Sequence, residues 1–533
     1  MISDLNIKVD PNLCYACGLC VERCIMDNLR LSIGPCRTAC PLHMNCQGYI
    51  RLLAQGREVE AAEEMRRETP FGAILGRVCS HPCEDQCERG RIDDPVRVRA
   101  LKRYLADRFP EIAFRPPPPA PETGLRAAVI GSGPAGLMAA YHLRAQGHRV
   151  TVYEAETEPG GLLRTGLPSF RLPLEVVDRS IDLLVRMGVV FITGTKVGED
   201  LGWTELEKDA GAVLLAAGAG PSLNLDLPGW DLDQVVDALT LLKRAKQGRA
   251  LDPGPSAVVI GGGNTAVDAA LTCRLMGVGQ VKLVALEARD RMPAHALELQ
   301  EALEAGVEVL AGLGPTAIRQ TEEDLVEIQL SRCLSLHDDE GRFAPVLEGA
   351  CGQALRTRTV ILAAGQRQKK DGWPDGLLDP RTGRPVMDPV TKRVSSPAPY
   401  FACGDLETGP SSVVEAMASA LEAAVSMDRL LKGEGLHWGR DFWKGGLVRD
   451  YRADHSRARG GPREALDRLS PAERRPDLEV ERTLAPAAAA REAERCLSCG
   501  RSFEANQTCW YCLPCEIECP VKALEVRMPY LVR

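Results

Sequence analysis

Residues 126–154 read RAAVIGSGPAGLMAAYHLRAQGHRVTVYE, and this stretch decides the architecture. An apolar strand runs into Gly131-Ser-Gly133-Pro134-Ala135-Gly136, an apolar helical segment follows, and a second strand closes on Glu154. Strand, glycine loop, helix, strand and acid, in that order, are what a dinucleotide phosphate site requires. The glycines admit a pyrophosphate to backbone N–H groups at a helix N-terminus, and a carboxylate 23 residues after Gly131 suits ribose hydroxyls. The same grammar recurs at 256–277, SAVVIGGGNTAVDAALTCRLMG, where Gly261, Gly263, Asn264, Thr265 and Ala266 form the loop. Alanine is tolerated at the third position, which needs only close helix–strand packing. Two sites imply two dinucleotides, and a flavin with a nicotinamide is the natural pair. Glu287 ends the strand after the second loop; a carboxylate there accepts from the adenosine 2′-hydroxyl and repels a 2′-phosphate, which favours NAD(H) over NADP(H). Arg289 and Arg291 are the nearby cations that would hold a phosphate instead.

A chain of 533 residues holds three or four domains. Its 65 Lys and Arg against 73 Asp and Glu leave a net charge of −8, and only 5% of residues are aromatic, which together argue against nucleic-acid binding. No apolar run approaches bilayer length, and MISDLNIKVD has neither a basic start nor an apolar leader core, so the expectation is a cytoplasmic protein without membrane insertion.

Twenty cysteines are the other decisive feature, since cytosolic cysteine clusters in a large chain hold metal. Ten lie between Cys14 and Cys87 and six between Cys496 and Cys519; Cys273, Cys333, Cys351 and Cys403 are scattered and read as packing residues. Cys14-x2-Cys17-x2-Cys20-x3-Cys24 and Cys509-x2-Cys512-x2-Cys515-x3-Cys519-Pro520 both match the bacterial ferredoxin run, with Ile25 where proline is usual in the first. Three thiolates within seven residues wrap a cubane corner, whereas zinc sites take two separated pairs, so [4Fe-4S] is favoured over zinc. In two-cluster ferredoxins the fourth cysteine of each run serves the other cluster. The expectation is therefore one domain split between the termini, with Cys14, Cys17, Cys20 and Cys519 on one cluster and Cys24, Cys509, Cys512 and Cys515 on the other. Two half-domains completed by another subunit are the alternative.

Gly160-Gly161-Leu162-Leu163-Arg164, GGGNTAVDAA at 261, Met292-Pro293-Ala294, AAGQ with Gly365, and FACGDLETGPSSVVEA at 401 resemble the small β subunit of glutamate synthase and its relatives, including the N-terminal part of dihydropyrimidine dehydrogenase. The resemblance covers about residues 34–433. It implies FAD at the first loop, with Gly161, Leu162 and Arg164 in its site and Gly404 and Asp405 returning to the flavin. It also implies a nicotinamide dinucleotide at the second loop, and a cysteine-rich helical domain containing Cys36, Cys40, Cys79, Cys83 and Cys87. The NADPH-using members carry paired arginines where this chain has Leu286 and Glu287, which again points to NADH. The family's opening C-x2-C pair is missing upstream of Cys36, and EAERCLSCG at 492–500 resembles it, so Cys496 and Cys499 are expected to join Cys36 and Cys87. Cys40, Cys79 and Cys83 would then share a site whose fourth ligand is Cys46 or a non-cysteine group. A single cluster from four of Cys36, Cys40, Cys79, Cys83 and Cys87 is the simpler alternative, giving three clusters in all rather than four.

The expected class is α/β: two Rossmann-like domains plus a helical iron–sulfur domain and a split ferredoxin-like domain. The expected boundaries are 1–33, 34–115, 123–253 and 361–433 for the flavin domain, 254–360 for the nicotinamide domain, 434–495 for an extended linker, and 496–533. No cysteine lies between 88 and 272, so there is no redox disulfide beside the flavin, and no acid, base or nucleophile constellation stands out. The chemistry belongs to cofactors. The expected activity is that of an NAD(P)H:acceptor oxidoreductase subunit passing electrons between NADH, FAD and iron–sulfur clusters to or from a partner, such as a ferredoxin-like, oxoacid oxidoreductase or reductase subunit. A glutamate synthase-type NADPH subunit, a bifurcating transhydrogenase subunit and a docking subunit are the alternatives.

Overall fold

The structure is a computed structural model, which describes residues 6–10, 13–26, 28–223, 225–249, 252–321, 325–349, 353–368, 372–437, 447–448, 458, 461–504 and 509–527. Cys351 and most of the arginine-rich stretch at 449–463 lie outside the described residues.

Two five-stranded parallel sheets form the centre. In the first, Arg126–Ile130 lies between Ala212–Leu215 and Arg149–Tyr153, with Tyr400–Ala402 and Val190–Ile192 at the edges. Its central strands are apolar and buried over Ala212–Leu215 and over residues 127–130, and helices Pro134–Ala145 and the 20-residue Val413–Lys432, which pack together, bury Ala139, Ala140, Ala420 and Ala423 completely. In the second sheet Ser256–Ile260 is flanked by Gln280–Ala285 and Thr359–Leu362. Glu308–Ala311 and Val235–Asp237 are its edges. The expected start of this domain at 254 is therefore too late, because three-residue Val235–Asp237 joins its sheet, a strand too short to show any periodicity. An antiparallel sheet of Leu313–Gln320, Val326–His337, Phe343–Leu347 and Gln353–Thr357 completes the second domain.

Helices Cys46–Ala54, Glu58–Glu68 and Val98–Arg108 arise where apolar residues recur at helical spacing. The two ends of the chain meet: Ile7–Val9 pairs antiparallel with Leu524–Val526, and Leu29–Ser32 pairs antiparallel with Arg501–Glu504 and parallel with Leu447–Val448. The stretch expected to be an extended linker contains a helix, Pro486–Glu494, with proline at its first turn and Ala489 and Ala493 buried. Its alanine run has high helix propensity but little apolar contrast, which is why periodicity missed it. Among the described residues no helix is long and apolar enough to cross a membrane.

Candidate cofactor-binding site

The three glycines of the first loop do different work. Gly131 has φ +99°, and a Cβ there would collide with the Ala216 carbonyl oxygen; at Gly136 it would collide with the Gly131 carbonyl oxygen. At Gly133 nothing lies within 4 Å, so the loop is open on the side where a pyrophosphate approaches the N-terminus of Pro134–Ala145. Glu154 is buried at the rim: its carboxylate accepts from the Ser132 and Glu156 N–H groups, each at 2.9 Å, and from the Ser132 hydroxyl. Ser132 in turn accepts from Gly160 N–H at 2.8 Å, which fixes the Gly160-Gly161 turn against the loop.

These groups line a cleft of about 1,310 Å³, larger than the ~300–1,000 Å³ of ordinary ligand pockets and roomy enough for a dinucleotide. Gly131, Gly133, Pro134, Ala135, Glu154, Gly161, Leu162 and Asp405 border it, and so does Cys403, expected only to pack. Burial raises the Asp405 carboxyl, which accepts from Ser411 N–H at 3.1 Å and Ser411 Oγ at 2.8 Å. Arg164 does not border the cleft; its guanidinium bonds the Pro159 carbonyl at 2.7 Å and pairs with Asp178. One feature went unread in the sequence. Ser412 and Glu415 form a capping box on Val413–Lys432, and Ser412 and Val413 present that helix's positive end to the cleft. The pattern Ser-x2-Glu was its signal.

The second loop repeats the design. A Cβ on Gly261 would sit 2.6 Å from the Ala363 carbonyl oxygen, while Gly263 is open. A Cβ on Gly262 would strike the Glu287 carboxylate, so that acid lies over the loop at the end of its strand. Asn264 Oδ1 accepts from His295 N–H at 2.8 Å, and Asn264 and Thr265 border the same cleft as the first loop. Ala266 is buried beneath the loop. Gly365, with φ +101°, accepts from Leu223 N–H at 2.9 Å where the chain crosses back between the two domains. Both loops thus open on one space.

Ion pairs brace that space. Arg171 binds Asp268 at 2.5 Å and Glu301 at 2.9 Å. The segment 461–484 adds pairs to both neighbours: Arg474 to Glu304 at 2.8 Å, Glu481 to Arg99 at 2.7 Å and Glu479 to Arg77 at 2.8 Å. Burial pushes the Asp268 and Glu298 carboxyls up, partly offset by Arg171.

The terminal thiols fall into groups that act on one another. Burial raises Cys20 to about 12, with Cys17, Cys14 and Cys519 adding to the effect. Those four cysteines line one small cavity with Tyr15 and Ser502. Cys515 is raised to about 11 by burial, then by Cys24, Cys509 and Cys512. Cys36 is raised by burial and then by Cys46, Cys496, Cys499 and Cys87. Cys40 is raised first by its hydrogen bond with Cys46 and then by burial, and Cys46 lies between Cys40 and Cys83. Mutual repulsion of this kind is what binding to a metal centre reverses. Among the described residues no three His, Cys, Asp or Glu side chains gather as ligands of one ion. All described cysteines are free thiols, including buried Cys273 and Cys403 and the half-buried Cys333.

Residues 125–420 match the family described as pyridine nucleotide-disulphide oxidoreductase, and residues 14–113 match dihydropyrimidine dehydrogenase domain II, 4Fe-4S cluster. The chain is 34% identical over 501 residues to NADP(+)-dependent formate dehydrogenase subunit beta of Moorella thermoacetica, covering 88% of this chain and 70% of that protein. It is 32% identical over 427 residues to NADPH-Fe(3+) oxidoreductase subunit beta of Geobacter sulfurreducens, covering 75% and 64% respectively. It is also 32% identical over 402 residues to the NAD-dependent dihydropyrimidine dehydrogenase subunit PreT of Escherichia coli, covering 75% and 91%.

Proposed function

The chain belongs to the pyridine nucleotide-disulphide oxidoreductase family, and from that premise we propose that it is an NADH-linked electron-transfer subunit of a larger oxidoreductase complex, working with FAD and four [4Fe-4S] clusters. The observation that carries the reading is that a dinucleotide cleft and groups of free thiols that act on one another, most of them buried or half-buried, occur in one chain. FAD would be held by Gly131, Gly133, Pro134, Ala135, Glu154, Gly161, Leu162, Gly404 and Asp405, with the positive end of Val413–Lys432 beside it. Gly261, Gly263, Asn264, Thr265, Ala266, Glu287 and Gly365 would hold the nicotinamide dinucleotide. The clusters would be held by Cys14, Cys17, Cys20 and Cys519; by Cys24, Cys509, Cys512 and Cys515; by Cys36, Cys87, Cys496 and Cys499; and by Cys40, Cys46, Cys79 and Cys83.

When bound, FAD would accept one hydride, two electrons with a proton, from the nicotinamide and would pass the electrons on singly. The chain's own residues supply the rest. The ion pairs of Arg171 and of 461–484 hold the two nucleotide domains and the helical domain at fixed distances. Cys79 and His81 border the same cleft as the first glycine loop, so the Cys79 set reaches the space where the flavin would lie. At the far end Cys512 is exposed, and Trp510, Ile517 and Ile25, at 70%, 76% and 67% exposure, surround its set. Apolar side chains around an exposed redox centre suit docking of a partner redox subunit.

NADP(H) is the second reading, favoured by Arg289 and Arg291 just after Glu287 and by the cofactors in the names of two relatives. Anaerobic stopped-flow mixing with each nucleotide decides between them. Flavin bleaching at tenfold lower NADH than NADPH is the expected result, and preference for NADPH would overturn the NADH assignment.

A further inference from the structure

Lys392 holds a backbone conformation that favours glycine. It lies at φ +61° in the turn between Met387 and Val394, which pair across it. Asp388 fixes that turn: its carboxylate accepts from the Val390 and Thr391 N–H groups at 3.1 and 2.7 Å, and its carbonyl from Lys392 N–H at 2.9 Å. A side chain is strained in this left-handed region, and such strain persists where the surroundings enforce it, most often at functional sites. The seven other non-glycine residues with positive φ among the described residues all lie within three residues of a cysteine of the terminal sets; Lys392 alone lies elsewhere. It is also buried, at 8% exposure, where a lysine on a turn ordinarily reaches solvent.

The buried ammonium heads a chain of bonds. It donates to Glu407 Oε1 at 2.7 Å and lies 3.3 Å from Glu422 Oε2. Glu407 Oε2 accepts from the Ser419 hydroxyl, and Ser419 Oγ accepts in turn from Gly404 N–H at 3.2 Å. The Lys392 carbonyl accepts from Ala402 N–H at 3.0 Å. One residue therefore holds the run 402–404 at both ends, directly at Ala402 and through Glu407 and Ser419 at Gly404. The other side of that run meets the first glycine loop: a Cβ on Gly404 would lie 3.0 Å from Ala135 Cβ, and Cys403 and Asp405 border the cleft. Gly404, at φ +65° and ψ −149°, has a conformation essentially reserved to glycine and no side chain to anchor its peptide, so the direction of that peptide depends on what its N–H meets.

We propose that Lys392, Glu407 and Ser419 are positioning residues for the flavin: together they set the direction of the Gly404 peptide and hold the Cys403–Asp405 segment against the first glycine loop, so that FAD is retained. This rests on the reading of that loop as the FAD site. None of the three borders the cleft, so each acts through Gly404 and not on the cofactor itself. The ion pair matters to the amide because it fixes Glu407, and a fixed carboxylate takes the Ser419 proton and leaves the oxygen's lone pairs facing Gly404 N–H.

The test is FAD retention by the full-length holoprotein, read as the rate at which flavin fluorescence appears on dilution, together with thermal unfolding, for wild type, Ser419→Ala, Lys392→Met and Lys392→Arg. Ser419 lies within helix Val413–Lys432, where alanine is the better helix former, so Ser419→Ala keeps the fold and the ion pair while removing the hydroxyl between Glu407 and Gly404. The expected result is flavin release about fivefold faster in Ser419→Ala, with thermal stability undiminished. Lys392→Met leaves Glu407 without its ammonium and should release flavin about tenfold faster, and Lys392→Arg should restore most of the wild-type rate. Unchanged release in Ser419→Ala overturns the proposal, and so does release that quickens only in step with a lowered unfolding temperature, the mark of a general loss of stability. Ser419→Ala decides if Lys392→Met does not fold. Flavin content of the wild type separately tests the parent reading, which fails if the protein purified anaerobically carries no FAD.

Discussion

Replacing Gly76 by alanine sets two effects of opposite sign against each other. Gly76 lies in helix Gly72–Val78, where alanine would ordinarily gain about 1 kcal/mol of helix propensity. The added Cβ would lie 2.6 Å from Arg103 Cα and 2.8 Å from Arg103 N and Cβ, however, and ordinary carbon contacts need about 3.5–4.0 Å. Backbone atoms cannot rotate away, so the two helices must part by about 1 Å. Overpacking of this kind costs about 1–3 kcal/mol, and the backbone contact puts it at the upper end. The net expectation is a loss of about 2 kcal/mol, near 30-fold in the opening equilibrium of the helical domain. Denaturant titration followed by cluster absorbance and by iron release reads that domain directly. Gly76→Ala as stable as wild type, or more stable, would refute the reasoning, because propensity alone predicts stabilisation.

Three further outcomes follow from particular contacts. If Glu287, whose carboxylate lies over Gly262, selects NADH as proposed, Glu287→Gln would remove a charge-assisted bond to the ribose hydroxyl and the repulsion of a 2′-phosphate, so KM for NADH should rise roughly tenfold and that for NADPH fall, in steady-state assays with each nucleotide. Lys246 donates to the carbonyls of Leu163, Leu167 and Leu172 at 2.9, 2.6 and 3.1 Å; Lys246→Met leaves all three without that donor and should speed flavin release several-fold, read from the fluorescence of freed flavin. Burial lowers His142 to about 4 from an ordinary 6.5. Below pH 6.5 the unfolded chain takes up a proton that the folded chain refuses, so stability from this group is present above pH 6.5 and lost as pH falls towards 4. His142→Phe should flatten the decline of Tm with pH across that window.

The nucleotide domains were legible because their glycines are dictated by backbone collisions that no other residue avoids, as at Gly131 and Gly136. The meeting of the termini was legible from ferredoxin spacing, where the fourth cysteine of each run serves the other cluster. Short-range signals failed where tertiary contacts decide. Val235–Asp237 is a strand only because Thr359–Leu362 lies beside it, and Pro486–Glu494 has no marked apolar stripe. Arg164 sits within a run that resembles a flavin site, yet Pro159 and Asp178 turn its guanidinium aside. The burial of Lys102 was invisible in sequence, because a lysine on an amphipathic helix ordinarily reaches solvent, whereas here it is 2% exposed.

The most direct measurement is freeze-quench electron paramagnetic resonance of the anaerobic holoprotein, with its iron content established, after mixing with NADH. Flavin bleaching followed by cluster signals within a turnover is the predicted result, since residues of both glycine loops and Cys79 border one cleft. Bleaching of the flavin with every cluster left oxidised, at full iron content, would contradict electron transfer through this chain.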